Sequence, residues 1–129
     1  MPVPSENKKI RILIADDHEV VRQGVRNILE AHPDYELCGE ATNGREAVAI
    51  AEKHAPDLAI LDISMPELNG IDAARQILKS HPKTKILIFT VHDAERLVYE
   101  VVGAGAHGYV LKSDAGRQLV TAIESVLAG

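Results

Sequence analysis

Five short apolar runs, each followed by a longer stretch with helical spacing, set the tightest limit on what this chain can fold into. They are "IRILIA" (10–15), the more polar "YELCGEA" (35–41), "DLAIL" (57–61), "KILIF" (85–89) and "GYVL" (108–111). Four of the five are continuously apolar rather than alternating, as a strand buried on both faces requires. Strands of this kind, alternating with amphipathic helices, predict a parallel sheet covered on both sides, that is, an open doubly wound α/β fold of five β–α units.

The helical stretches carry their own start and stop signals. Val21, Gly24, Val25, Ile28 and Leu29 follow helical spacing until "AHP" (31–33), where the residue before proline leaves the α region. "TNGREAVAIAEKHAP" opens on a Thr/Asn cap and closes on Pro56. A third helix is expected after Pro66, with Ile71, Ala74 and Leu78 on one face and Pro82 as its stop. "DAERLVYEVVGAGA" predicts a helix with Leu97, Val98, Val101 and Val102 inward, fraying at Gly103 and Gly105. Ser113 or Asp114 is expected to cap a last helix carrying Leu119, Ile123, Val126 and Leu127.

With 46% hydrophobic residues, 129 residues suffice for one domain with one core. A formal charge of −5 argues against this chain gripping nucleic acid by itself. No stretch is long and apolar enough to cross a membrane, and "MPVPSENKK" (1–9) reads as a flexible polar tail rather than a signal peptide. The lone Cys38 has no internal disulfide partner, which fits a reducing cytoplasm, and is expected to pack as a small apolar side chain. Six histidines without HExxH spacing give a zinc motif little support.

Polar residues follow the apolar runs in a regular way. Asp16 and Asp17 follow the first, Asp62 the third, Thr90 the fourth and Lys112 the fifth. In a parallel sheet all of these stand at the C-terminal edge, outside which ligands bind. Each alone has a structural reading: Asp16 or Asp17 as a helix cap, Asp62 as a turn cap, Thr90 as a β-branched strand end, Lys112 as a solvated cation. Together they predict one acidic cleft. Two carboxylates about 5 Å apart repel by roughly 3 kcal/mol at an effective dielectric near 20. One lysine is too little against three carboxylates, and Mg²⁺, which keeps waters and recruits phosphate oxygens, suits the deficit. A carboxylate can also act as nucleophile toward phosphorus.

"DD" after the first strand, "LDISMPELNG" around Asp62, "FT" at Thr90 and "GYVLK" ending in Lys112 resemble a response-regulator receiver domain of bacterial two-component signalling. The resemblance runs from about Ile10 to Leu127, within a domain of residues 10–129. "DDHEVVRQGV" and "GAGAHGYVLKSD" further resemble the NarL/FixJ subfamily, whose members usually carry a LuxR-type helix-turn-helix. This implies a flavodoxin-like receiver fold with strand order 2-1-3-4-5. It also implies that Asp62 accepts a phosphoryl group from a phosphohistidine of a sensor histidine kinase. Asp17, Asp62 and the Ser64 carbonyl would ligate Mg²⁺, with Asp16 acting through water. Lys112 would pair with phosphoryl oxygens, and Thr90 and Tyr109 would move together as the switch. The protein is then a signalling switch rather than an enzyme, with weak self-dephosphorylation and a possible homodimer on phosphorylation.

The pattern also departs from the family. Ser113 replaces the proline common after the lysine, so a cis bond there is not expected. Val91 stands where a smaller residue is common, which implies narrower access to the phosphoryl group. His92 reads as a solvated loop residue, with an influence on the lifetime of the phosphorylated state as the sharper reading. "ESVLAG" closes the chain, and the resemblance implies a short linker and a helix-turn-helix of about 60 residues past Gly129. DNA would then be bound only through that missing output domain, and a stand-alone receiver acting through protein contacts is the alternative.

Three other functions compete. "GAGAHG" (103–108) matches GxGxxG but ends a helix and opens a strand, the reverse of a dinucleotide site. A magnesium-dependent phosphohydrolase with an aspartyl nucleophile would want DxD at the first strand and a cap insertion, and the chain has neither. A pseudo-receiver serving only dimerisation would not need Asp16, Asp17, Asp62, Thr90 and Lys112 together.

Overall fold

A computed structural model describes residues 9–91 and 95–129, apart from the side chains of 95–98. Five parallel strands, β1 Ile10–Ala15, β2 Tyr35–Ala41, β3 Leu58–Asp62, β4 Lys85–Thr90 and β5 Gly108–Leu111, form one sheet in the order β2-β1-β3-β4-β5. Helices α1 Glu19–Glu30, α2 Gly44–His54, α3 Gly70–Ser80, α4 Glu95–Gly103 and α5 Ala115–Ala128 alternate with them. The doubly wound fold and strand order are those expected. Residues 1–8 of the anticipated tail, and His92, lie outside the described residues.

Two cores sandwich the sheet, because successive residues of a strand point to opposite faces. Leu13, Ala59, Leu61, Ile86 and Ile88 pack with α2 and α3 on one side, while Ile12, Ile14, Ile60, Leu87 and Phe89 pack with α1 and α5 on the other. β3, the central strand, is buried along its whole length; β2 at the edge is mostly half-buried, which explains its more polar sequence. Cys38 on β2 packs against the α2/α3 core, and burial pushes its thiol pKa up.

Several local expectations are corrected. α3 starts at Gly70, not after Pro66, because Glu67 takes a positive φ of 70° and the Asn69 side chain caps the helix from outside, accepting from Asp72 N. On α3, Ile71 and Ala74 are buried and Leu78 packs half-buried against the same core, as expected, with Ile77 fully buried beside them. On α1, Gly24 is exposed while Val25 and Leu29 face inward. Val102 is 65% exposed, since α4 meets the sheet through Val101; Leu97 and Val98 lie outside the described side chains. Asp114 precedes α5 but makes no capping bond through its side chain. A single 3-10 turn, Lys112–Asp114, leads into the helix instead. Peptide bonds among the described residues are trans, including the one before Ser113.

Candidate phosphoacceptor cleft

β1, β3 and β4 run parallel and in register, so their C-terminal ends deliver Asp16, Asp62 and Thr90 to one edge. Asp62 pairs with Phe89, and Thr90, one residue on, lies opposite Leu111, which immediately precedes Lys112. Asp16 is 0%, Asp62 4% and Thr90 2% exposed, an unusual burial for carboxylates. Lys112 reaches back over the cleft, with Nζ 2.7 Å from Asp16 Oδ2 and 3.2 Å from Asp62 Oδ2. Its ammonium also stands 5.8 Å from the Phe89 ring centroid.

Two glycines allow the loop after Asp62 to close. A Cβ on Gly70 would fall 2.1 Å from the Asp62 carbonyl oxygen, and one on Gly44 would fall 1.9 Å from the Leu68 carbonyl oxygen. Each follows an asparagine whose side chain caps its helix: Asn43 accepts from Glu46 N, and Asn69 from Asp72 N. Glu46 in turn accepts from Thr42 N, which completes the expected cap of α2 and lowers the Glu46 pKa. The α2 and α3 N-termini are thereby pinned against the loop that holds Ser64, whose N–H donates to Asp62 Oδ1 at 3.3 Å.

Asp17 is more exposed than Asp16 and faces His18, the first residue that sequence reasoning missed. His18 Nδ1 lies 3.0 Å from Asp16 Oδ1 and 3.1 Å from Asp17 Oδ1. Arg22 was missed too: its guanidinium donates to the Asp16 carbonyl at 2.6 Å and to Glu40 Oε1 at 3.3 Å. Arg26 holds Glu40 from the other side, at 2.7 Å. The only sequence signal for Arg22 is its spacing one helical turn after His18. Glu40, on β2, gives none.

Burial first, and the Asp16 carboxylate second, push the Asp62 pKa up from the ordinary 3.8, against the pull of Lys112. Asp16 Oδ2 and Asp62 Oδ2 are buried without a hydrogen bond among the described residues, although both lie within ion-pair distance of Lys112. Ligand atoms of Asp16, Asp17, His18 and Asp62 come within 4.8 Å of one another. Three carboxylates against one ammonium, with buried oxygens short of donors, fit a divalent cation. Tyr109 stands apart, 42% exposed, on a groove of about 370 Å³ that it shares with Asp114 and Gln118.

A parallel sheet with buried acids at its carboxyl edge and a lysine closing over them is the architecture of a signalling receiver. The family model for the response regulator receiver domain matches residues 12–124, and the chain belongs to that family, in its NarL/FixJ branch. It is 39% identical over 125 residues to the transcriptional regulatory protein DegU of Brevibacillus brevis, covering 97% of this chain and 52% of that one. A two-component response regulator of the LuxR family from Aurantimonas sp. SI85-9A1 superposes with a TM-score of 0.89 at 38% identity, covering 95% of this chain and 87% of that one. The signal receiver domain of NarL from Mycobacterium tuberculosis gives 0.88 at 32% identity, covering 95% and 98%. The chain spans about half the length of the curated relatives it matches. Among the described residues no helix is long and apolar enough to cross a membrane.

Proposed function

We propose that Asp62 is the phosphoacceptor of this receiver and that the cleft around it is the machinery of transfer. The observation that carries this reading is the buried pair of Asp16 and Asp62 whose Oδ2 atoms share one Lys112 ammonium as their partner. An Asp62 carboxylate oxygen attacks phosphorus; the P–N bond to the kinase histidine breaks, and its electron pair stays on the imidazole. Lys112 stands where it can balance charge on the phosphoryl oxygens, and the Thr90 hydroxyl is within the same strand-end row. Asp17, Asp62 and the Ser64 carbonyl, with Asp16 behind them, would hold Mg²⁺, which when bound neutralises charge on the transferring group.

The chain acts as a switch rather than a turnover enzyme, losing its phosphoryl group slowly to water. Tyr109, exposed on β5, is the element Thr90 would draw inward, changing the surface of α4, β5 and α5. A two-state element responds only if phosphorylation favours one of its states. The partners are a cytoplasmic sensor histidine kinase and, on phosphorylation, a second copy. Control of transcription would run through a DNA-binding output domain, in keeping with relatives about twice as long and named transcriptional regulatory proteins.

Mass spectrometry after incubation with acetyl phosphate and Mg²⁺ tests the assignment. One phosphate should add to the chain and none to Asp62→Asn; undiminished labelling of that variant overturns the reading. Beryllofluoride should shift NMR signals of residues 95 to 110, and Thr90→Ala should blunt the change.

A further inference from the structure

We propose that Arg22 is the positioning residue of the acidic pair. Its forked guanidinium, anchored on Glu40, fixes the peptide that joins Asp16 to Asp17 and so sets how readily the cleft takes a cation. The inference rests on the metal-cleft reading above and assigns it a residue outside the cleft. The Arg22 N–H closes the first turn of α1 on the His18 carbonyl at 3.1 Å. Helical side chains lean toward the N-terminus, here back over the turn between β1 and α1. There Nη1 donates to the Asp16 carbonyl at 2.6 Å while Nε donates to Glu40 Oε1 at 3.3 Å. The side chain is only 13% exposed, so water competes little for either bond. Arg26, one turn on, donates to both oxygens of the same Glu40 at 2.7 Å.

A staple between α1 and β2 needs only a grip on Glu40, which Arg26 already supplies twice. The bond from Arg22 to the Asp16 carbonyl adds nothing to that staple, and it is the shorter of the two that Arg22 makes. Its effect falls on Asp17. The Asp16 carbonyl and the Asp17 N–H belong to one planar group, so a grip on the oxygen orients the nitrogen and the direction in which Asp17 leaves. The other side of Asp16 is fixed by its own N–H, which donates to the Ala41 carbonyl of β2 at 3.0 Å. The Asp17 side chain is 34% exposed and meets the 64% exposed His18 ring, so packing does little to aim it. The backbone before it does. Lysine at this position would keep the charge but has no planar fork to span a carbonyl and a carboxylate at once.

Titration of the ¹⁵N-labelled full chain with MgCl₂, followed at the Asp17 and His18 amides, tests this, together with the rate of acetyl phosphate labelling at each Mg²⁺ level. Arg22→Met should raise the half-saturating Mg²⁺ concentration roughly tenfold. At saturating Mg²⁺ its labelling rate should return to within about twofold of the parent, since the phosphoacceptor is untouched. Arg22→Lys should behave nearly as Arg22→Met does. Glu40→Gln, which loosens the anchor but keeps the fork, should weaken Mg²⁺ binding by about threefold, and it keeps the test open if Arg22→Met does not fold. Thr84→Val reports lowered stability alone, from a bond lost at the far edge, and its Mg²⁺ response should match the parent. Unchanged Mg²⁺ affinity in folded Arg22→Met, or in Glu40→Gln, would reduce the arginine to a staple and overturn the proposal. So would full recovery by lysine, which would make charge alone the cause. A parent chain that neither binds Mg²⁺ nor takes up phosphate would sink the metal-cleft reading, and this inference with it.

Discussion

The two ends of the same sheet treat their polar groups in opposite ways. At the N-terminal edge, the buried Thr84 hydroxyl donates to the Pro56 carbonyl at 2.9 Å, Asp57 Oδ2 accepts from Arg11 N at 2.8 Å, and the Arg11 guanidinium donates to the His54 carbonyl. His107 does the work of a strand there: its N–H donates to Ile86 O at 2.9 Å and its Nδ1 accepts from Ile86 N at 3.0 Å. At the C-terminal edge, Asp16 and Asp62 are buried as deeply as Thr84, but their Oδ2 atoms have only the shared Lys112 ammonium as partner among the described residues. Polar groups matched by neighbours fasten the loops. Buried charges short of partners cost stability and call for a ligand from outside.

The largest expected effect tests the dependence of the C-terminal edge on one cation. Lys112→Met should destabilise the chain by about 2–3 kcal/mol at pH 7, because two buried carboxylates lose their shared counter-charge. Urea denaturation should show that loss shrinking as pH falls toward the ordinary aspartate value of 3.8, because Asp62, with its raised pKa, takes up its proton above that value. A loss independent of pH would mean that Lys112 acts by packing alone.

Removing a charge should do the reverse. A carboxyl whose folded pKa is raised favours the fold most below its unfolded value, and that contribution is lost as pH climbs through the folded value. Asp62→Asn cannot ionise, so it should be more stable than the parent by about 1 kcal/mol at pH 7, the gain fading toward the ordinary aspartate range. A lower melting temperature at neutral pH would show Asp62 to be well accommodated, and the contrast between the edges would fall.

At the opposite edge, Thr84→Val should lower stability by about 1 kcal/mol at every pH, through the lost bond to Pro56, and leave acetyl phosphate labelling unchanged. Altered labelling would couple the two ends. The smallest effect is expected at His107. Burial, and then Lys85, lower its pKa, so its contribution holds above the ordinary histidine value of 6.5 and is lost as pH falls through the lower folded value. Protonated Nδ1 cannot accept from Ile86 N. His107→Asn should flatten that part of the stability profile, and an unchanged slope would remove His107 from the comparison.

The β–α alternation and the row of strand-end residues were legible for one physical reason. A strand buried on both faces must be apolar throughout, so its first polar residue marks where it leaves the core, as Asp16 and Asp62 do. Exposed or capped segments carry no such pressure. Val102 was placed inward by spacing, yet α4 is covered on one side only and Val101 faces the sheet. The start of α3 moved from Pro66 to Gly70 because the chain first turns at Glu67, and a positive φ at a glutamate leaves no mark in composition. Asn69-Gly70 was in plain view, but its meaning depends on the Asp62 carbonyl that a side chain at Gly70 would strike.

Sequence by itself determined the fold class, the family and which polar residues stand at the carboxyl edge, because parallel strands bring their equivalent ends together whatever lies between them. Tertiary structure alone decided how those residues meet. Lys112 bridges Asp16 and Asp62 through their Oδ2 atoms, His18 shares Nδ1 between Asp16 and Asp17, and Arg22 ties the Asp16 backbone to Glu40 on β2. Such contacts join residues up to 96 positions apart, as between Asp16 and Lys112. Their geometry depends on helix packing and loop closure, which no local pattern of residues encodes.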